Sequence, residues 1–459
     1  MGRCLESRRA WVGLVTCVLA GCRFTPAPGE GQGDAPAGAA DARLTDAPLA
    51  IIDASCASTC ADASTLVDCV TGDEVACPLG CLATGLGARC AWPVPSNGVG
   101  LDGLTGVTAG LIVEGRVILD SSDGSIDGEA GAVRGPGAGV IDGLHFDPRS
   151  DGLAVLSVLS LEVRPMGALL IVGDRPLVLL SAGDITIRGV VDGSAGNLTC
   201  NLTTMSQCGG PGGGDGGADN TAGAGCSPGG AGFDGSGDET GGGGGGYGAP
   251  AGGAGGASGG NAGGTGGDGL ACPDASLVPL VGGSGGGGGG GTGGGDGGVG
   301  GGGGGGLQLT ALGTIWIETT QGAQDRARIE VNGGGGEAGG SNDGGGGGGA
   351  GGGLLLEAQR LVLNAAGLFA NAGAGGAGDN GGPGADGGES ITPAAGGAGT
   401  RPGGAGAARD GTPGAGGGMG DGTGGGGGGI GRIRLNVAEV IDTSAVISPV
   451  ETRTTPVGQ

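Results

Sequence analysis

The 459-residue chain has no lysine, a single histidine and a single tyrosine, and only 2% of its residues are aromatic. That leaves little material for a general acid–base site or for a surface on which bases could stack. All 20 cationic residues are arginine and face 45 carboxylates, for a formal net charge of −25. Binding to a phosphate backbone needs clustered cations, so nucleic acid is excluded as a partner. The apolar run Ala10–Ala20 is too short to span a bilayer as a helix. What is abundant is glycine: 132 Gly and 22 Pro make up about a third of the chain, above the level at which a sequence reads as low-complexity. Glycine does not recur strictly at every third position, which excludes collagen.

Residues 1–21 carry Arg3, Arg8 and Arg9, then the apolar run, then small residues ahead of Cys22. These are the parts of a secretory signal peptide. The box Leu19-Ala20-Gly21-Cys22 resembles the lipobox of bacterial lipoproteins. The resemblance implies that the signal is removed, that Cys22 is acylated, and that the acyl chains hold the protein on membrane lipid at about 0.8 kcal/mol per buried CH2. Arg23 in place of Asp after the cysteine favours the outer membrane. Residues 22–55, rich in Ala, Pro, Gly and Asp without apolar periodicity, read as a disordered tether.

Of 13 cysteines, Cys4 and Cys17 leave with the signal and Cys22 is the acylation site, so an even number remains. Cys56, Cys60 and Cys69, followed by Cys77, Cys81 and Cys90, are two copies of C-x3-C-x8-C. They predict a small disulfide-rich domain over 56–95, with no pairing assigned. A zinc site is the competing reading, disfavoured by the lack of histidine and by export. Cys200, Cys208, Cys226 and Cys272 share one glycine-rich segment and predict two further bridges.

From residue 96 the chain turns to short alternating apolar runs punctuated by Asp-Gly, which read as strands and turns, with 96–176 a β-rich first part. From residue 177 a unit of three short strands repeats. Its copies are Leu177–Leu180, Asp184–Ile187 and Val190–Gly193; then Leu307–Thr310, Thr314–Ile317 and Arg328–Gly333; then Leu354–Glu357, Leu361–Asn364 and Leu368–Asn371; and last Arg432–Asn436, Glu439–Asp442 and Ala445–Ser448. Such units predict the coils of a right-handed parallel β-helix over 177–448, an all-β solenoid whose stacking buries one continuous core and lines up Asn or Asp near its corners. Unrelated strand pairs of a β-sandwich are the alternative. A polar tail, 449–459, follows.

The glycine falls mainly in three insertions, 195–306, 333–353 and 372–430, each after a third strand. All three therefore leave the stack at one edge and lie side by side. Alone they would stay flexible, because ordering a residue costs about 1–2 kcal/mol and glycine loses most, while a hydrogen bond returns about 0.5–1.5 kcal/mol. Held at both ends, they can pack as polyglycine II, since glycine lets extended backbones approach closely.

The lipobox, Cys77-Pro78-Leu79-Gly80-Cys81 running into Pro95-Ser96-Asn97-Gly98, the string Arg175–Ile185, and Gly431–Leu435 after the last glycine run together resemble glycine-rich surface lipoproteins of myxobacteria and related high-GC bacteria. The resemblance implies a place in the cell envelope and carries no particular activity. Ala251–Gly256 is similar in composition to the repetitive part of mycobacterial PE-PGRS proteins, whose Pro-Glu helical domain is absent here. Thr240–Gly248 resembles the glycine-run-plus-tyrosine motif of receptor-kinase ectodomains, in which such tracts pack in order.

Candidate chemistry is sparse. The one concentrated polar group outside the tracts is His145 to Asp151, and a polysaccharide-active β-helix enzyme would need Asp147 and Asp151 to converge across a cleft. A turn before a strand accounts for the same residues. Gly263–Ala271 matches a calcium-binding G-G-x-G-x-D-x-U-x repeat, and Gly229–Asp234 its first half, but the copies are separate and no metal site is assigned. Asn197 and Asn201 fit a glycan acceptor pattern, read as a chance match because the lipobox resemblance implies a bacterial cell. The expectation is a non-enzymatic envelope lipoprotein with a structural or adhesive role and no cofactor, contacting extracellular polysaccharide or other surface components through its glycine face. The alternatives are a polysaccharide-active enzyme and a calcium- or ice-binding surface.

Overall fold

The computed structural model describes residues 57–459 apart from 85–86, 197–206, 236, 249, 292–296, 321–324 and 419. The signal, Cys22, the tether, Cys56, Asn197, Cys200 and Asn201 lie outside the described residues. Among the described residues the regular elements are all strands, save one 3-10 turn at Asp102–Leu104. The fold is all-β, as its β-branched and Leu-rich short runs between Asp-Gly turns dictate.

Each repeated unit pairs strand for strand with the next, in parallel. In the first column Ala154–Val158, Leu177–Ser181, Gly306–Ala311, the start of Gly353–Asn364 and the start of Arg432–Thr443 follow one another in register. The second column runs Leu111–Val113, Leu161–Val163, Ile185–Ile187 and Thr314–Glu318 into the latter halves of the same two long strands. The third runs Arg116–Asp120, Ala168–Val172, Val190–Asp192, Arg328–Glu330, Gly367–Phe369 and Val446–Ser448. Parallel pairing between units sets the arrangement apart from the antiparallel sheets of a sandwich.

Register places like side chains above one another. Leu156, Leu179, Leu309, Leu356 and Leu435 form one buried file, and Leu169, Val191, Ile329, Leu368 and Ile447 form another. Each buried aliphatic side chain contributes about 1.5–3 kcal/mol, and a lone unit would leave most of this surface in water.

Two further complete or partial units, 154–172 and 111–120, precede the first clear repeat of the sequence. At that end antiparallel pairing takes over: Ile126–Gly128 with Gly131–Arg134, and Gly139–Ile141 with Leu144–Pro148. Arg134, 1% exposed, fastens these hairpins by donating to the carbonyls of Gly124, Gly135, Gly137 and Gly139 at 2.7–2.9 Å. At the other end Thr452–Thr454 adds to the first column. Beyond it, Gln459 exchanges backbone hydrogen bonds with Trp92 at 2.9–3.0 Å and the Val457 carbonyl accepts from the Val94 N–H at 2.9 Å, joining the C-terminus to the small cysteine-rich module.

Candidate functional site

The described parts of the insertions form an ordered layer whose logic is clearest at 344–350. Around this segment every N–H and every C=O is bonded, and the partners change with a period of three. The N–H groups of Gly344, Gly347 and Ala350 donate to Gly290, Gly287 and Ser284; those of Gly345 and Gly348 to Thr423 and Gly426; those of Gly346 and Gly349 to Glu337 and Gly334, all at 2.8–2.9 Å. Their carbonyls accept, in the same rotation, from Gly298, Gly301 and Gly304, from Gly242 and Gly245, and from Gly376 and Gly373, at 2.8–3.0 Å. Six neighbouring tracts therefore surround one segment. No intrasegment bond is needed, which is the condition of an extended three-residue-per-turn helix.

Glycine is required here by space. A Cβ built on any of Gly344 to Gly349 would lie within 3.0 Å of a neighbouring backbone oxygen. At Ala350 the methyl instead joins an apolar cluster with Tyr247, Leu277, Leu280 and Leu355. This second cluster is the floor on which the layer rests: Val155, Val178, Leu180 and Leu355 are the outward-facing residues of the first column, covered by the layer, while their neighbours Leu156, Leu179 and Leu356 face the inner core. Both faces of the column are thus buried, as its unbroken Leu-Val-Leu-Leu run implies. Cys226–Cys272 staples the layer beside the cluster.

Tyr247 is fully buried and its hydroxyl donates to the carbonyl of Val281 at 2.9 Å. Burial pushes its phenol well above the ordinary value, opposed by the nearby Arg432 guanidinium.

A polar seam runs beside the apolar floor. Glu357 is 0% exposed, and its carboxyl group receives five donors: the Ser96 N–H and hydroxyl at 3.0 and 2.6 Å, Gln308 at 2.7 Å, Thr310 at 3.0 Å and Asn436 at 2.7 Å. Thr310, Glu357 and Asn436 are register neighbours in successive units. Asn97 donates to the Gln308 side-chain oxygen at 2.8 Å and to Leu277 at 3.2 Å. The Pro-Ser-Asn-Gly segment is therefore strapped across several units at once.

A second polar file stands where third-column strands pass into glycine. Ser448 donates to the Asn371 side-chain oxygen at 2.6 Å, the Asn371 N–H to the Asn332 side-chain oxygen at 2.8 Å, and the Asn332 N–H to Ser194 at 2.9 Å. Beside it Glu330, 7% exposed, lies in register with Asp192 and accepts from Arg328 at 3.1 Å and Asn332 at 3.2 Å. Desolvation, followed by the Asp192 charge, raises the Glu330 carboxyl to about 8 against the pull of Arg328.

The His145-to-Asp151 group spans a strand and the turn after it. His145 and Asp147 lie on the strand Leu144–Pro148, with Asp147 exposed, while Asp151 sits in the following turn in an ion pair with Arg149 at 2.5 Å. Asp268 ends its tract by accepting from Ser227 at 3.1 Å and from the Leu270 N–H at 2.9 Å. Cys60 pairs with Cys81 and Cys77 with Cys90, and Cys69 and Cys208 are also disulfide-bonded. Every described cysteine is thus oxidised, which replaces the zinc reading of the cluster. Glu357 and Glu330 were not singled out from sequence; the one available signal was a charged residue interrupting a two-faced apolar strand, visible only once the unit register is known.

No known protein family matches the chain, and neither a curated protein nor a solved structure is similar to it.

Proposed function

We propose that the chain is a non-enzymatic cell-envelope lipoprotein, acylated at Cys22, whose role outside the cell is structural or adhesive. In this reading the three-strand units wind as a parallel β-helix, right-handed because parallel crossovers of twisted strands pack back only that way, and the tracts pack as polyglycine II. The observation that carries the reading is the complete bonding of residues 344–350 to six neighbours. Insertions of this length commonly form mobile loops around a cleft; here they are consumed in a stiff slab resting on the strands, suited to spacing and contact. Among the described residues no helix is long and apolar enough to cross a membrane.

The test is the intact mass of the protein extracted from membranes of an expressing cell, before and after reduction. The expected mass is the chain from Cys22 plus acyl groups, gaining two hydrogens per disulfide. An unacylated chain in the soluble fraction overturns the envelope role. Cells expressing the wild type are expected to attach to surfaces more strongly than cells expressing Cys22→Ala, which cannot be acylated; equal attachment removes the adhesive half of the proposal.

A further inference from the structure

The two ends of the strand stack are finished differently. At the first unit antiparallel strands continue two of the columns. Ile126–Gly128 and Gly131–Arg134 extend the third column beyond Arg116–Asp120, and Leu144–Pro148 and Gly139–Ile141 extend the first beyond Ala154–Val158. At the last unit Thr452–Thr454 covers only Arg434–Asn436 of the strand Arg432–Thr443. The latter half of that strand, Glu439–Thr443, pairs with Arg360–Asn364 on one side and with no described strand on the other.

The backbone direction along this edge follows from one bond. The Thr443 carbonyl accepts from the Ala365 N–H at 2.9 Å, so Thr443 faces the preceding unit. Successive residues of a strand turn their backbone groups to opposite sides, so the N–H and C=O groups of Val440 and Asp442 face the open side. The Val440 side chain packs on the core, and Ile441, 41% exposed, stands on the outer face. Proteins commonly protect such an edge with proline, lysine, a bulge or a covering segment. Glu439–Thr443 holds no proline or lysine, and its register to the preceding unit is unbroken. Its two carboxylates are already engaged, Glu439 with Arg360 at 2.7 Å and Asp442 with the Ala445 N–H at 3.0 Å.

We propose that this edge is an interface between two copies of the chain, which pair antiparallel through Glu439–Thr443 about a two-fold axis at Ile441. In that register Val440 of each copy lies opposite Asp442 of the other, so the open amides and carbonyls of both strands are used. Ile441 meets Ile441 and Glu439 meets Thr443, which sets no like charges face to face. Stacking in the same direction, last unit onto first, is blocked: the antiparallel hairpins stand where the first and third columns would have to continue. The open end therefore pairs with its own kind, which closes the assembly at two copies. The −25 charge of each chain opposes this only weakly, because charges beyond about 8 Å are largely screened at physiological ionic strength. The inference goes beyond the envelope role and does not depend on acylation.

The experiment sizes the detergent-extracted, full-length protein by light scattering, with the detergent mass subtracted, and reads cross-linking in Ile441→Cys. The wild type is expected at the mass of two chains. Ile441→Cys is expected to give an oxidised dimer on a denaturing gel that reduction splits, because residues opposed at a non-hydrogen-bonded site have Cα atoms about 4.5 Å apart, within disulfide reach. Ile441→Arg sets two cations against one another and is expected to weaken the dimer at least about tenfold with the unfolding midpoint unchanged. Val440→Pro, which removes an amide from the open side only, should do the same. A single-chain mass for the wild type overturns the proposal, and so does a dimer that the folded Ile441→Arg variant leaves intact. A dimer that Ile441→Cys does not cross-link overturns the register, and a one-to-one complex with a different co-extracted protein replaces self-pairing with strand addition by that protein.

Discussion

The Tyr247 hydroxyl donates to the Val281 carbonyl at 2.9 Å, and this bond ties two glycine tracts to one another over the apolar floor of the first column. Tyr247 is the only tyrosine of the chain. Its ring fills space that no glycine can, so the layer is seated by a side chain at its base and held elsewhere by backbone. Replacing Tyr247 by Phe leaves a buried carbonyl without its donor and is expected to lower stability by about 1–3 kcal/mol. Replacing it by Ala empties the ring site as well, at about 3–5 kcal/mol. Denaturant melts of the two variants check the order.

Gly347 bonds to two tracts, and a Cβ there would strike the backbone of a third, at Gly243. Gly347→Ala is expected to destabilise by about 2 kcal/mol or more, because backbone cannot move aside as a side chain can. Ala415→Ser, on an exposed position of an outer tract, is expected to stay within about 0.5 kcal/mol. Hydrogen exchange is the sharper readout: amides 344–350 should lose protection in the first variant and keep it in the second.

Glu357→Ala leaves five donors without their acceptor, three of them buried. The expected loss is about 3–5 kcal/mol, with Ser96 and Asn97 released from the units they cross. Limited proteolysis near residue 97 should accelerate together with the fall in the unfolding midpoint.

Glu330 sets a pH dependence. Its carboxyl is raised from 4.5 to about 8 in the fold, so between those values the folded state holds a proton that the unfolded state has lost. Stability is therefore expected to fall as pH rises through that window, with a slope on the order of 1 kcal/mol per pH unit. Glu330→Gln should flatten this slope; an unchanged slope assigns it to other groups.

Strand identity was readable locally. Every three-strand unit marked in the sequence from Leu177 onward is present, because two-faced runs such as Leu177–Leu180 and alternating runs such as Thr314–Ile317 carry their burial pattern in their own composition. The earlier unit at 154–172 was harder to see as a repeat, since no glycine tract separates it from the next. The polar seam was not readable at all. Ser96 and Glu357 are 261 positions apart, and nothing in either neighbourhood names the other.

The sequence by itself determined that this is an all-β chain with disulfides, and that its glycine would gather along one edge, because composition, spacing and period are local quantities. Tertiary structure alone decided whether that glycine would order. A single tract offers seven amides such as those of 344–350 and no partner for any of them; six tracts brought alongside offer a partner for each. Which tract meets which depends on strand register far away in the chain, and on contacts such as Tyr247 with Val281 that exist only after the units have stacked.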